Sequence, residues 1–161
     1  MLEHYQFVTF RTQDSIDTYL KKIYVQETDN KIKQYKIDQY LDKSSTGAYL
    51  YGEVIDEIKN YFLSYDKKLF ELIALAIMPN HIHVLFKQEE KLGKIMRVLK
   101  GGSAHIANTM LKRKGKFWSD KYYDTVVRDE KHFGVIYDYI KNNPVKAGLR
   151  DSDRRFYGVY E

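Results

Sequence analysis

The sequence predicts an α+β fold, a single antiparallel sheet with helices packed on it. Three observations carry that expectation. The chain has 161 residues, 43% hydrophobic and 30% charged, which suits one domain with one hydrophobic core. Short β-rich runs alternate with longer stretches whose apolar residues recur every three or four positions. Two of the apolar runs are separated only by Pro79-Asn80, as a tight turn or bulge between antiparallel neighbours requires.

Taken in order, Tyr5 to Thr12 is rich in Tyr, Phe, Val and Thr and reads as a strand. Asp14 or Ser15 is placed to cap a helix from Ile16 to about Tyr24. Residues 25–46 are polar and lysine-rich, without a clear period. Residues 25–47 are therefore read as a variable insertion or loop region inside one catalytic domain spanning residues 1–161. Within that region Asp42 to Gly47 reads as a loop. Ala48 to Phe62 is an amphipathic helix, with Tyr51, Val54, Ile55, Ile58, Tyr61 and Phe62 on one face. Phe70 to Met78 and His81 to Lys87 are the paired strands. In the second, His81, His83 and Leu85 alternate with Ile82, Val84 and Phe86. Leu92 to about Leu111 is a basic amphipathic helix that Gly101-Gly102 is placed to interrupt and Gly115 to end. Tyr122 to Val127 is a further strand. A helix capped by Asp129 follows, runs to about Lys141 and stops before Pro144, because a residue preceding proline is pushed out of helical geometry. The tail from Asp151 to Tyr157 reads as a last short strand or strap.

His81 and His83 are two of only five histidines. Alternate residues of a strand share a face, so the two imidazoles stand side by side, and imidazole binds divalent metals well. Taken alone such a pair is more often structural or incidental than metal-binding, because a catalytic metal usually has a third protein ligand and an open position. Tyr139 and Asn143, i and i+4 on the last helix, share one face. Asn143 offers a carbonyl oxygen to a hard cation, and Tyr139 holds a phenol near the same ion. A phenol has a pKa of about 10 and needs help to become a nucleophile. A cation on a phosphate supplies the other half by polarising phosphorus. Together these groups can cut a phosphodiester by covalent attack. Tyr123 and Tyr137 are the rivals among 15 tyrosines. Tyr137 points to a different face of the helix from Tyr139, since two positions along a helix are about 200° apart. Asn143-Pro144 and Gly148 also suit plain punctuation, a helix stop and a turn.

The formal net charge is +5, and its distribution is more telling than its size. From Lys91 to Lys116 there is no acidic residue. Lys94, Arg97 and Lys100 form a helical stripe, followed by Lys112, Arg113, Lys114 and Lys116. Such a block is either a footprint for a polyanion or a solvated helix face. Phe117 and Trp118, the only tryptophan, adjoin it, and aromatics beside lysines suit a single strand whose bases stack while its phosphates pair with cations. Trp118 can equally close the edge of the core. Arg128 can hold a phosphate or pair with Asp129 or Glu130. The absence of cysteine excludes disulfides and thiolate metal sites and fits a cytoplasmic setting. No run of 18 apolar residues suggests a membrane span, and Glu3, Arg11, Asp14 and Asp17 break any secretory leader.

Pro79-Asn80-His81-Ile82-His83-Val84-Leu85 resembles the His-hydrophobic-His signature of the single-tyrosine transposases related to the IS200/IS605 group. Trp118, Tyr122-Tyr123-Asp124, Arg128-Asp129-Glu130 and the segment from Tyr139 to Leu149 resemble one branch, the REP-associated tyrosine transposases. The likeness covers residues 67–150 well and the opening strand more loosely. It implies a ferredoxin-like α+β sandwich with a central antiparallel sheet. His81 and His83 match the paired metal ligands, and Tyr139 the nucleophile. Asn143 falls where relatives often carry a glutamine that completes the metal site, and it has the shorter arm. The implied cofactor is Mg²⁺ or Mn²⁺. The implied partner is single-stranded DNA with hairpin or palindromic structure, cut through a 5′-phosphotyrosine and acted on in the bacterial cytoplasm at the nucleoid by a monomer or a homodimer. Asp138 is the only carboxylate next to Tyr139 along the helix and points elsewhere, so water or a hydroxide on the ion is expected to take the phenol proton. Tyr24 to Thr46 matches nothing in the family, and His4, His105 and His132 match no role in it. Two alternatives stand beside this reading: a non-catalytic module that binds single-stranded nucleic acid, and a domesticated relative that processes hairpin repeats of the host chromosome.

Overall fold

The computed structural model describes residues 4–160, and Glu3 lies outside them. Strand β1 (Tyr5–Thr12) passes through a 3-10 turn into helices α1 (Thr18–Gln26), α2 (Asn30–Lys43) and α3 (Glu53–Ser64). Strands β2 (Phe70–Ile77) and β3 (His81–Gln88), helix α4 (Leu92–Met110), strand β4 (Trp118–Val126) and helix α5 (Glu130–Lys146) follow. A single turn, α6 (Ser152–Arg155), leads into β5 (Phe156–Gly158). The sheet order is β4-β1-β3-β2-β5, antiparallel throughout. β1 and β2 flank β3, and β3 and β4 flank β1, so two split βαβ units interlock in the ferredoxin-like manner. The α+β sandwich with a central antiparallel sheet is the observed architecture.

Strand alternation divides the interior. Val8, Phe10, Ile82, Val84 and Phe86 pack with α3 and α4 in the larger core. Leu85 and Ala76, from the other face, pack with Ile136, Tyr137 and Ile140 of α5. A register shift between Leu72 and Ala74 lets both Ile73 and Ala74 join that second core. The helical pair α1–α2 has an apolar cluster of its own, built on Leu20, Ile37 and Leu41. Arg155 is fully buried and donates to the carbonyls of Leu50 and Ile77 at 2.9 and 3.0 Å, which anchors the C-terminal strap that pairs with β2.

Several elements depart from the sequence reading for identifiable reasons. The cap of α1 is Asp17, which accepts from the Leu20 amide, because Ser15 is bonded to Thr12 O and Asp14 is paired with Arg113. Residues 30–43, lying in the stretch hardest to assign, form a helix capped by Asp29. α4 runs unbroken through Gly101-Gly102. Gly102 lies under the ring of Tyr61, where a Cβ would overlap it, so the glycine serves the close approach of α3 and α4. α5 continues through Pro144 to Lys146. The proline gives up the bond to the carbonyl one turn back and crowds it with its ring, but it lies in the last turn, its ring is buried, and the helix ends at Gly148 (φ +74°) with Gly148 N bonded to Val145 O and Leu149 N to Pro144 O.

Gly47 sits at φ +67°, and its carbonyl accepts from Thr12 Oγ1 at 2.9 Å. A Cβ there would collide with the backbone of Asp14 and Ser15. Gly47→Ala is expected to lower unfolding free energy by about 2 kcal/mol or more, measured by urea denaturation.

Candidate active site

His81 and His83 are fully buried on the α5 face of β3, opposite Arg11 and Thr9 of β1. Their rings meet edge to face at 4.7 Å. Asn80 defines the state of the first. Its amide nitrogen donates to the carbonyls of Leu41 and Ser44 (2.9 and 3.3 Å), so its oxygen is the atom facing His81 Nδ1 at 2.7 Å. An amide oxygen only accepts, which puts the proton on Nδ1 and the lone pair on Nε2, the nitrogen nearer Asp42. His83 Nδ1 is held by Thr9 Oγ1 at 2.7 Å. Burial disfavours the imidazolium, pushing His81 well below its ordinary range and His83 down to about 3, so both rings are neutral at physiological pH.

α5 brings Tyr139 and Asn143 to the same place. The Tyr139 ring stands edge-on to His83 at 5.4 Å and to Phe7 at 6.1 Å. Asn143 is buried beside both imidazoles, where its amide favours their charged forms without offsetting burial. Two carboxylates reach in from α2. Tyr139 donates to Asp38 Oδ2 at 2.8 Å, and Asn143 Nδ2 donates to Asp42 Oδ2 at 3.1 Å. Asp42 Oδ1 lies 3.6 Å from His81 Nε2. Desolvation raises Asp38 to about 7, opposed by the Tyr139 hydrogen bond and reinforced by Asp42, and raises Asp42 to about 6, opposed by the Asn143 hydrogen bond. Burial and then the Asp38 charge push the Tyr139 phenol up. A cleft of about 550 Å³ opens beside Tyr139 and Asn143 and is edged by Lys43 and Lys146.

Four polar atoms of this cluster are buried without a hydrogen-bond partner: His81 Nε2, His83 Nε2, Asn143 Oδ1 and Asp42 Oδ1. Leaving such atoms unpaired is costly, and His81, His83 and Asn143 are the residues that could offer theirs to a cation. Two neutral imidazoles, an amide oxygen and a carboxylate suit a divalent ion with nitrogen and oxygen ligands. Among the described residues no three of His, Cys, Asp and Glu are grouped so as to hold a metal, and the amide oxygen of Asn143 is the further polar atom beside the histidine pair.

The structure thus gathers His81, His83, Tyr139 and Asn143. It sets Lys94, Arg97 and Lys100 apart from them, because α4 covers the opposite face of the sheet. Lys100 bonds to the carbonyl of Ser119 at 2.6 Å. Arg113 pairs with Asp14 and stacks on Tyr49, Lys94 pairs with Glu90, and Lys116 pairs with Asp120. Lys112, Lys114 and Arg128 are exposed. Trp118 closes the core edge: it is 4% exposed, packs on Phe10, and donates to Ser103 Oγ at 2.9 Å. Tyr137 is tied to the backbone of Tyr160, whereas Tyr123 lines a cleft shared with Tyr139. The sequence reading missed Asn80, Asp38 and Asp42. A usable signal was present for the last two: an i,i+4 pair of like charges beside Ile37 and Leu41 in a lysine-rich helix, an arrangement that destabilises a helix and calls for another purpose.

Buried paired histidines facing a helix-borne tyrosine on an interlocked ferredoxin-like sheet define a class of DNA nicking and joining enzymes, the transposases. Residues 45–143 match the family described as transposase IS200 like, and the chain belongs to that family. A Haemophilus influenzae protein provisionally named a REP-associated tyrosine transposase is 26% identical, aligned over 66% of this chain and 75% of its own length. A second, uncharacterised protein of that organism is 27% identical over 60% of this chain and 73% of its own. A solved structure described as a REP-associated tyrosine transposase bound to a REP hairpin superposes with a TM-score of 0.50 at 18% identity, covering 92% of this chain and 71% of that one, a likeness of fold. Asp38 and Asp42 precede the segment matched to the family. Among the described residues no helix is long and apolar enough to cross a membrane.

Proposed function

We propose that this chain is a metal-dependent endonuclease and strand transferase for single-stranded DNA, with Tyr139 as nucleophile and a 5′-phosphotyrosine as intermediate. One observation carries the reading: a phenol stands against a pair of neutral, unpartnered imidazole nitrogens and an unpartnered amide oxygen. His81, His83 and Asn143 would hold Mg²⁺ or Mn²⁺, with Asp42 beside them. Such an ion polarises the scissile phosphate and neutralises the charge that develops on it. Tyr139 Oη attacks phosphorus in line and the bond to the 3′-oxygen breaks, which frees a 3′-hydroxyl. In joining, a DNA 3′-hydroxyl attacks the phosphotyrosine and the phenol leaves.

Hairpin or palindromic single-stranded DNA is the proposed substrate, in keeping with the hairpin carried by the solved structure of similar fold. Lys43 and Lys146 at the cleft suit phosphates next to the cut. Lys94, Arg97, Lys112, Lys114 and Arg128, exposed on other faces, suit backbone phosphates farther along. The acting unit is a monomer or a homodimer. Residues 1–161 act as one catalytic domain, and the setting is the bacterial cytoplasm.

The test is a labelled single-stranded hairpin incubated with protein and Mn²⁺, then run on a denaturing protein gel. A covalent band that EDTA removes is expected. Hairpin binding without any covalent band, unaffected by EDTA, would instead mark a non-catalytic binding module. Asn143→Ala is expected to weaken Mn²⁺ binding about tenfold or more, read by calorimetry in the absence of DNA. Unchanged affinity would remove Asn143 from the ligand set.

A further inference from the structure

The hydroxyl of Tyr139 does not point into open solvent. It donates to Asp38 Oδ2 at 2.8 Å, a contact that joins residues 101 positions apart. Asp38 is 7% exposed, and its other oxygen has no hydrogen-bond partner. A buried carboxylate with one neutral hydrogen bond is expensive to keep. Nothing in the packing of α2 requires an acid here, since the apolar cluster of the α1–α2 pair is complete with Leu20, Ile37 and Leu41. The other carboxylates nearby are otherwise placed: Asp42 accepts from Asn143 and Asp138 is exposed on the outer face of α5.

We propose that Asp38 is the general base of strand cleavage, taking the Tyr139 proton on Oδ2 as Oη bonds to phosphorus. The proposal rests on the reading of Tyr139 as nucleophile and replaces solvent as the proton acceptor. In cleavage the O–H bond of Tyr139 breaks and its proton passes to Asp38. The phenolate electron pair forms the bond to phosphorus. The phosphorus–O3′ bond breaks, and the leaving 3′-oxygen keeps that pair and takes a proton from solvent. Joining runs in reverse: the incoming 3′-hydroxyl gives its proton to solvent, its oxygen bonds to phosphorus, and the departing phenolate recovers the proton from Asp38.

The surroundings suit the task. Burial lifts Asp38 to about 7, which makes it a stronger base than an ordinary carboxylate while leaving it ionised in mildly alkaline conditions. Arg11 from β1 and the Tyr139 hydrogen bond from α5 favour its charge, and Asp42 on its own helix opposes it. Tyr123 of β4 and His132 of α5 line the same cleft.

The experiment follows single-turnover formation of the covalent adduct on a labelled hairpin with Mn²⁺. Asp38→Asn is expected to slow it by about 10²- to 10⁴-fold with hairpin affinity unchanged. Placing 3,5-difluorotyrosine at position 139, whose phenol ionises more readily, is expected to restore about tenfold or more of the loss in the Asp38→Asn background. Adduct formation by Asp38→Asn at the wild-type rate overturns the proposal. A loss that difluorotyrosine does not restore also overturns it, leaving Asp38 a positioning residue. No adduct from the wild-type protein overturns the reading of Tyr139 itself, and this proposal with it.

Discussion

Tyr139→Phe is expected to give a protein that folds, binds hairpin DNA and forms no covalent product. Phenylalanine keeps the ring contacts with His83 and Phe7 at 5.4 and 6.1 Å, so the change removes one oxygen and one hydrogen bond, to Asp38. Its loss leaves both Asp38 oxygens without a hydrogen bond, which costs about 1–3 kcal/mol and favours the neutral carboxyl, a loss that does not prevent folding. The chemistry loses its nucleophile outright, and no neighbouring group replaces it in place. Tyr137 Oη is engaged with Tyr160 O at 2.6 Å and Tyr160 N at 2.9 Å, behind the second core. Tyr123 shares a cleft with Tyr139, as does Tyr35 of α2. A denaturing gel decides: a band that survives in Tyr139→Phe and disappears in Tyr123→Phe would move the nucleophile to β4.

Asp38→Asn is expected to stabilise the fold increasingly as pH rises. The folded state raises Asp38 from 3.8 to about 7, chiefly by burial. Between those values the folded chain holds a proton that the unfolded chain has lost. The contribution of Asp38 is therefore most favourable below 3.8 and is lost as pH climbs through 7. Asparagine does not titrate, so the stability gap between variant and wild type should widen across that window, by about 4 kcal/mol at most. Asp42, which repels Asp38, and Arg11, which attracts it, titrate or persist in both proteins and affect the gap only through their coupling to position 38. Urea denaturation at pH 5 and at pH 8 measures the slope. A gap that is constant or narrows with pH would show that Asp38 is not held as a strained anion. A variant that gains stability at pH 8 while losing cleavage is the signature of a site maintained at the expense of the fold.

Where side-chain pattern and tertiary demand agree, the chain was legible. β1 spans Tyr5–Thr12 as its composition suggests, and the alternation of His81, His83 and Leu85 against Ile82, Val84 and Phe86 is the alternation of the two cores. Asp129 caps α5 as expected. Reading failed where a local rule yielded to packing. Pro144 is normally a stop that also disfavours helix at the residue before it, yet Asn143 stays helical, one turn beyond Tyr139, and the helix runs on through the buried proline to Lys146. Gly101-Gly102 looks like a break, but the helix continues and Gly102 fits the Tyr61 ring. The basic run after β3 suggested a surface beside the histidines, but the sheet separates α4 from them. α2 escaped notice because its inward side carries Asp38 and Asp42 among few apolar residues, so it lacks the stripe by which an amphipathic helix is recognised.

The separate apolar cluster of α1 and α2 has a thermodynamic consequence. A segment with its own small core, bound to the main body around the site through Asp38–Tyr139, Asp42–Asn143 and the two Asn80 amide bonds, forms a cooperative unit that opens below the cost of global unfolding. Its amides should exchange with deuterium ahead of those in β1 and β3, and occupancy of the site by a cation or by DNA sets how far ahead.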